Sequence, residues 1–276
     1  MKKIMWRIAL VLALVLTTVW LIWENQALVR TDYAVKSSNL PQAFDGYRIV
    51  QISDLHNTLF GKGNERLLEM IRSAQPDMIA ITGDLIDSRH TRVEIALEFA
   101  KEAVKLAPCY YVTGNHEIRD DVLEELLEGL KETGVTVLRG EAVQLYKEDQ
   151  WIHLVGIDDM SLVCKKPDTE SMVARQMLER FESQHYTLLL AHRPEPFTVY
   201  ADLGFDLTLT GHTHGGQMRL PWLGGMFASG EFFPEYDAGL FQQGDTAMVV
   251  SRGLGNSLFP FRINNRPEVV VVTLRK

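Results

Sequence analysis

Arg48–His56 reads RIVQISDLH, a β-branched apolar run that turns directly into a carboxylate and an imidazole. The pattern recurs four times. MIAIT (Met78–Thr82) leads into Gly83-Asp84, and YYVT (Tyr110–Thr113) into Gly114-Asn115-His116-Glu117. YTLLLA (Tyr186–Ala191) leads into His192, and DLTLT (Asp206–Thr210) into Gly211-His212-Thr213-His214. Apolar runs of this length bounded by turn residues read as buried strands. In an open α/β sheet the carboxyl ends of the strands meet at one crevice, where ligands bind. Five separate segments therefore deliver Asp, His and Asn to one place.

The residue types suit one task. Carboxylate oxygen, imidazole nitrogen and amide oxygen are ligands for a metal of intermediate softness such as Mn, Fe, Zn or Co. Seven candidate ligands stand in the clusters: Asp54, His56, Asp84, Asn115, His192, His212 and His214. Seven are too many for one ion with an open position and suit two ions sharing a carboxylate. A lone Asp or His after a strand is usually a cap or packing residue; the joint occurrence after five strands is what argues for metal. His90, His153 and His185 fall outside the clusters and read as surface or packing residues, with His90 close enough to Asp84 in sequence to lie near the site.

Between these runs lie helical patterns at Asn64–Ala74, Thr91–Leu106, Val122–Thr133 and Ser171–Glu182. Gly134 supplies the stop after the third. Closely spaced strands at Val135–Leu138, Ala142–Tyr146 and Ile152–Ile157 occupy the middle, and Ala247–Ser251 and Glu268–Thr273 close the chain. Alternating strands and helices with an antiparallel-looking centre and end imply an α/β (α+β) fold of packed sheets flanked by helices.

The order DLH, GD, GNHE, H, GHTH resembles the calcineurin-like metallophosphoesterases, whose pattern is D-x-H, G-D, G-N-H-[D/E], H, G-H-x-H. The likeness runs from Asp54 to His214, with Glu117 standing where Asp is commoner. Gly215-Gly216-Gln217, the N-terminal apolar run and Ser251–Arg262 (SRGLGNSLFPFR) look like a membrane-attached bacterial branch similar to the enzymes that hydrolyse UDP-2,3-diacylglucosamine. The resemblance implies a four-layer fold of two mixed sheets between helices. It implies two divalent metal ions, one held by Asp54, His56, Asp84 and His214, the other by Asp84, Asn115, His192 and His212, with Asp84 bridging. His116, surplus to that ligand set, is expected to stabilise phosphoryl oxygens or to protonate the leaving group as a general acid, its ring oriented by Glu117 or Asp54.

Ile8–Trp23 is apolar apart from Thr17 and Thr18, follows Lys2, Lys3 and Arg7, and approaches the ~20 residues that span a bilayer when Ile4–Trp6 is added. No small-x-small site closes the run, which favours an uncleaved signal anchor over a signal peptide. The positive flank places the N-terminus in the cytoplasm and the remainder outside, a single-pass protein of the cell membrane. The expected organisation is an anchor and linker over 1–30 and a catalytic domain over 31–276.

The chain has 28 Lys and Arg against 36 Asp and Glu, a formal net charge of -8. Setting aside Lys2, Lys3, Arg7 and Glu24 leaves 25 basic and 35 acidic residues, so no nucleic-acid partner is expected and membrane contact falls to the anchor. Cys109 and Cys164 are too few for a disulfide scaffold and lack metal-binding spacing.

The expected function is hydrolysis of a phosphodiester or pyrophosphate bond by hydroxide activated at a dinuclear centre, on a lipid-linked or nucleotide-linked substrate such as UDP-2,3-diacylglucosamine. An extracytoplasmic phosphomonoesterase shares the same metal pattern. An inactive tethered binding protein is disfavoured by the complete ligand set. Arg252 and Asn256 are candidate phosphate contacts, and Asp158 and Asp159 candidate border residues of the cleft. Phe227–Phe241, and Leu258 with Phe259, Pro260 and Phe261, are read as either packed loops or the lining of an acyl or nucleobase groove.

Overall fold

The apolar runs become strands because they are buried on both faces, which removes any need for alternation. The computed structural model describes residues 1–164, 169–181, 183–228, 230–256 and 259–276; Glu182 and Leu258 lie outside them. In chain order the elements are α1 (Lys2–Gln26), β1 (Val29–Lys36), β2 (Arg48–Ile52), α2 (Glu65–Ala74), β3 (Met78–Thr82), α3 (Val93–Ala103), β4 (Cys109–Val112), α4 (Asn115–Ile118), α5 (Leu123–Thr133), β5 (Thr136–Val137), β6 (Glu141–Lys147) and β7 (Gln150–Gly156). There follow α6 (Glu170–Leu178), β8 (Thr187–Leu190), α7 (Phe197–Asp202), β9 (Leu207–Thr210), β10 (Arg219–Leu220), β11 (Gly224–Gly225), β12 (Phe227–Ala228), β13 (Glu231–Phe232), β14 (Gly239–Gln243), β15 (Thr246–Val250) and β16 (Glu268–Arg275).

Two six-stranded mixed sheets result, ordered β1-β16-β2-β3-β4-β5 and β14-β15-β9-β8-β7-β6. In the first, β2 to β5 run parallel and β16 is antiparallel to β2. In the second, β7, β8, β9 and β15 run parallel, flanked by antiparallel β6 and β14. Ile49, Ala80, Val112 and Val270 of one sheet meet Leu154, Leu188, Leu209 and Val249 of the other. The outer face of the first sheet is covered by Leu67 and Ile71 of α2, Phe99 of α3 and Leu126 and Leu130 of α5. That of the second is covered by Val173 and Leu178 of α6 and by Phe197 and Tyr200 of α7. Helix, sheet, sheet and helix make four layers. Each fully buried Leu, Ile or Phe contributes roughly 1.5–3 kcal/mol, so the facing sheets are held chiefly by burial.

Several details differ from the sequence pattern, α7, β14 and the four short strands β10–β13 among them. Val29 and Arg30, read as linker, already pair with Glu268 and Val269 in register, so the first sheet starts three residues after α1 ends. Val135–Leu138, read with the central strands, contributes Thr136 and Val137 to the first sheet beside β4. The helix after Gly114 is an additional element, four residues long. Gly134 does close α5, at φ 97°.

α1 holds 25 residues and exposes its apolar side chains along its length. At 1.5 Å per residue it is roughly 37 Å long, more than the hydrocarbon thickness of a bilayer. Its last turn is fastened to the body: Asn25 Oδ1 accepts from the Asn256 amide and the Arg262 backbone N–H, both at 3.0 Å, and Glu24 Oε1 accepts from Asn265 N–H.

Candidate metal centre

The loops after β2 and β3 continue the ladder beyond the strands. Asp54 N–H donates to Gly83 O and His56 N–H to Asp84 O, each at 3.0 Å. To keep those bonds and still turn, the backbone adopts left-handed conformations at Asp54, His56, Asp84, His212 and His214 (φ 44° to 69°). Five of the seven candidate ligands are thus non-glycine residues at positive φ. Such strain clusters at functional sites, and Asp, Asn and His tolerate it better than most residues. Gly114 and Gly211 allow the close approach: a Cβ on the first would overlap the Asp84 carboxylate, and one on the second would overlap Ser53 and Asp54.

Six of the seven candidates converge on Asp84, and the seventh, Asn115, precedes the residue whose N–H bonds Asp84 Oδ1. Asp54, His56, Asp84 and His214 place one potential ligand atom each within 4.8 Å of one another, and so do Asp84, His192 and His212. Asp84 belongs to both sets. Its Oδ2 lies 3.5 Å from His56 Nε2 and 3.3 Å from His192 Nε2, while its Oδ1 accepts from His116 N–H. His56 Nε2 faces His214 Nε2 at 3.2 Å, and His192 Nε2 faces His212 Nδ1 at the same distance. Asn115 Oδ1 is buried with no hydrogen-bond partner among the described residues. Pairs of facing imidazole nitrogens, a shared carboxylate and an orphaned amide oxygen are what a pair of cations requires of its donors.

Electrostatics fit that donor set at three of its four histidines; at His192 burial lowers the pKa but the Asp84 carboxylate outweighs it and raises the imidazole to about 10. Burial drives the His56 imidazole down to about 3 and holds His212 and His214 well below the usual range, so all three present lone pairs at neutral pH. Burial opposes ionisation of Asp84, but the surrounding imidazoles, His192 foremost with His56 and His116, together outweigh it and hold the carboxyl well below its usual range. Around the ligands sits a supporting set. His192 Nδ1 faces Thr82 O at 2.7 Å, which turns Nε2 toward Asp84. Asp54 accepts from Ser53 Oγ and from His212 N–H. His214 Nδ1 faces Gly255 O, a carbonyl also held by the buried Arg262, and Asn265 fastens His214 O.

His116 stands edge-on to His56, with ring centroids 4.5 Å apart. Ser88 N–H donates to its Nδ1 at 3.1 Å, so the neutral ring carries its proton on Nε2; Asp87 Oδ1 lies 3.4 Å from the same Nδ1. These two residues orient the ring, in place of Glu117 or Asp54. Glu117 turns away and accepts N–H bonds from Asp84, Ile86 and Gly114, locking two ligand loops together. The sequence signal was present but faint: Asp87-Ser88 follows Asp84 closely, and its turn brings it back to His116.

Arg193, next to His192, was also missed. It is buried, bonds Asp159 at 2.8 Å and places Nη1 3.2 Å from His212 Nε2. Asp159 therefore supports the site through Arg193, while Asp158 accepts from Thr113 and Arg139. Arg252 is paired with Glu268 at 2.7 Å, and Asn256 donates to Asn25 and Pro260 O, so both candidate phosphate contacts already have protein partners. His153 and His185 stack around Trp151, and His90 is exposed, with its carbonyl held by Asn57. Of the aromatic segment, Phe227 packs on Phe232 and Phe259, while Phe232 and Phe233 are exposed.

Residues 47–216 match the family described as calcineurin-like phosphoesterase. An uncharacterized metallophosphoesterase of Bacillus subtilis, YkuE, is 32% identical over 259 residues, covering 91% of this chain and 87% of that protein. Phosphodiesterase YaeI of Escherichia coli is 31% identical over 244 residues, 83% of this chain and 82% of its own. A transmembrane protein with metallophosphoesterase domain from Danio rerio is 28% identical over 277 residues, 98% of this chain and 62% of its own. Among solved structures, TT1561 of Thermus thermophilus superposes with a TM-score of 0.52 at 13% identity over 75% of this chain and 90% of its own, a likeness of fold alone.

Proposed function

This chain belongs to the calcineurin-like phosphoesterase family and is a hydrolase of phosphoester bonds, and from that premise we propose that it is a dinuclear-metal phosphodiesterase acting at a membrane. The observation that carries the reading is Asp84 Oδ2, set between His56 Nε2 and His192 Nε2 where two donor sets meet. One ion would be held by Asp54, His56, Asp84 and His214, the other by Asp84, Asn115, His192 and His212. When bound, such a pair lowers the pKa of a water and offsets charge on the phosphoryl oxygens of an in-line displacement.

The protein's own groups prepare the reaction. Thr82 O and Gly255 O fix the rings of His192 and His214. With Ser88 N–H on Nδ1, neutral His116 directs its Nε2–H as a donor to a phosphoryl oxygen. In its imidazolium form Asp87 balances the charge and Nε2 supplies the proton to the leaving alkoxide. The name of the E. coli relative supports a diester over a monoester, and the long apolar α1 supports a lipid-linked or nucleotide-linked substrate near the bilayer, UDP-2,3-diacylglucosamine among them.

The test is a panel with Mn²⁺ added, comparing a bis-aryl phosphodiester, an aryl monoester and UDP-2,3-diacylglucosamine. Diester or pyrophosphate turnover should lead, and chelation should abolish it. Full turnover after chelation overturns the metal reading; a dominant monoester overturns the diester reading. The domain beyond α1 is proposed to lie outside the cytoplasm, because Lys2, Lys3 and Arg7 precede the apolar run. An alkaline phosphatase fused to the C-terminus should be active, and a silent fusion reverses the orientation.

A further inference from the structure

Two short hairpins that follow β9 carry four exposed apolar side chains within twelve residues. Trp222 is fully exposed, Leu223 is 66% exposed, and Phe232 and Phe233 are 72% and 51% exposed. Trp222 and Leu223 lie in the turn of the miniature hairpin β10–β11, and Phe232 and Phe233 lie at the open end of the neighbouring hairpin β12–β13, where Phe233 N–H bonds Met226 O. Contiguous exposed apolar groups of this size mark a surface that something covers.

What covers them is indicated by where the hairpins are rooted. Arg219 N–H donates to Ile263 O at 2.9 Å, and Met218 forms a parallel bridge with Ile263. One residue away on that same segment, Arg262 N–H bonds Asn25 of α1; two residues away, Asn265 N–H bonds Glu24. The root of β10 is thus a single strand-width from the last turn of α1. Trp23, exposed on that turn, carries the guanidinium of Arg266 over its ring at 5.3 Å, an aromatic and cation pairing suited to the boundary between hydrocarbon and headgroups. Trp222, Phe232 and Phe233 extend this aromatic set, and aromatic rings favour the same boundary.

We infer that the turn of β10–β11 and the open end of β12–β13 form a second bilayer contact beside α1, seating Trp222, Leu223, Phe232 and Phe233 in the interface of the membrane that α1 enters. The inference rests on the reading of α1 as a membrane span. Its consequence for the site is direct. β11 packs against Gly216, two residues beyond His214, so the rim of the metal cleft lies at the lipid surface and admits a substrate whose phosphoester is itself held in a membrane.

The full-length chain in phosphatidylcholine vesicles provides the test. A single cysteine replaces Trp222, Phe233 or, as a control on the far edge of the second sheet, the equally exposed Tyr146. Each is labelled with bimane, with the unsubstituted chain labelled in parallel for background. Lipids carrying a nitroxide on the acyl chain should quench positions 222 and 233 several-fold more than 146, with aryl diester turnover unchanged. Equal quenching at 222 and 146, in a chain that floats with the vesicles, overturns the bilayer contact and leaves the anchor standing. A probe at 222 shielded from aqueous iodide yet untouched by the lipid nitroxide assigns the patch to a second copy and also overturns it. A chain that fails to float at all removes the anchor and the contact together.

Discussion

The two halves of the candidate metal centre share Asp84 and are otherwise built differently. Asp54, His56 and Asp84 arise from neighbouring parallel strands of one sheet, with His214 the one group brought from the other. Their loops prolong the β2–β3 ladder, so a single register sets three ligand positions. His192 and His212 come from the second sheet and meet Asp84 of the first at the carboxyl ends of the strands. That half depends on packing between layers and on Arg193, which touches His212 from outside. Both halves sit on prolonged ladders, Gly211 N–H bonding His192 O beyond β8 and β9, and each has a cation behind one imidazole, Arg262 at His214 and Arg193 at His212. But the first draws three of its four candidate ligands from one sheet and the second divides its four between two, so the second should yield first to a loosening of the sheet–sheet packing.

Four substitutions test that asymmetry, from the largest effect to the smallest. Asp84→Ala removes the group common to both halves; elemental analysis should find less than one ion per chain, and turnover should fall beyond the about 10²–10⁴-fold expected of an acid–base group. Two retained ions would refute the bridge. His192→Ala should spare the Asp54 half, leaving about one ion per chain with little turnover; if both ions go, the halves are not separable. His116→Ala should keep both ions and reduce kcat by about 10²–10⁴-fold, less for substrates with good leaving groups. A loss that ignores the leaving group assigns His116 to charge stabilisation alone. Arg193→Lys keeps a cation near Asp159 and loses the fork that reaches His212. Metal titration should show the weaker site loosened by about 10-fold, the low end for groups behind a ligand, with the other site unchanged. Equal loosening of both would erase the proposed difference.

The strands were legible because strands buried on both faces carry uninterrupted apolar runs, and RIVQIS, MIAIT and YTLLLA have no competing helical periodicity. β1 was not, since VRTDYAVK is an edge strand with half-exposed residues whose partner lies at the other end of the chain. The four short hairpin strands hold two residues each, too few for any period. Within the site, the positions of candidate ligands were legible and their supports were not. The expectation that Glu117 would orient His116 fails on helix geometry: consecutive residues on α4 point about 100° apart and do not face each other. Ser88 and Asp87 reach His116 through a turn, and Arg193 reaches His212 across two strands, contacts that no local pattern announces.

The left-handed backbone at Asp54, His56, Asp84, His212 and His214 also acts as a filter on sequence drift. At such positions a β-branched residue is strained whatever its chemistry, whereas Asp, Asn and His are among the side chains best tolerated. Exchanges among those three alter ligand charge and softness, and with them metal preference, without rebuilding the turn. His192 carries no such constraint and can be varied on chemistry alone. Over many generations the centre can therefore change the ion it favours more readily than it can cease to be a polar cleft, because the chain path excludes the aliphatic substitutions that would fill it.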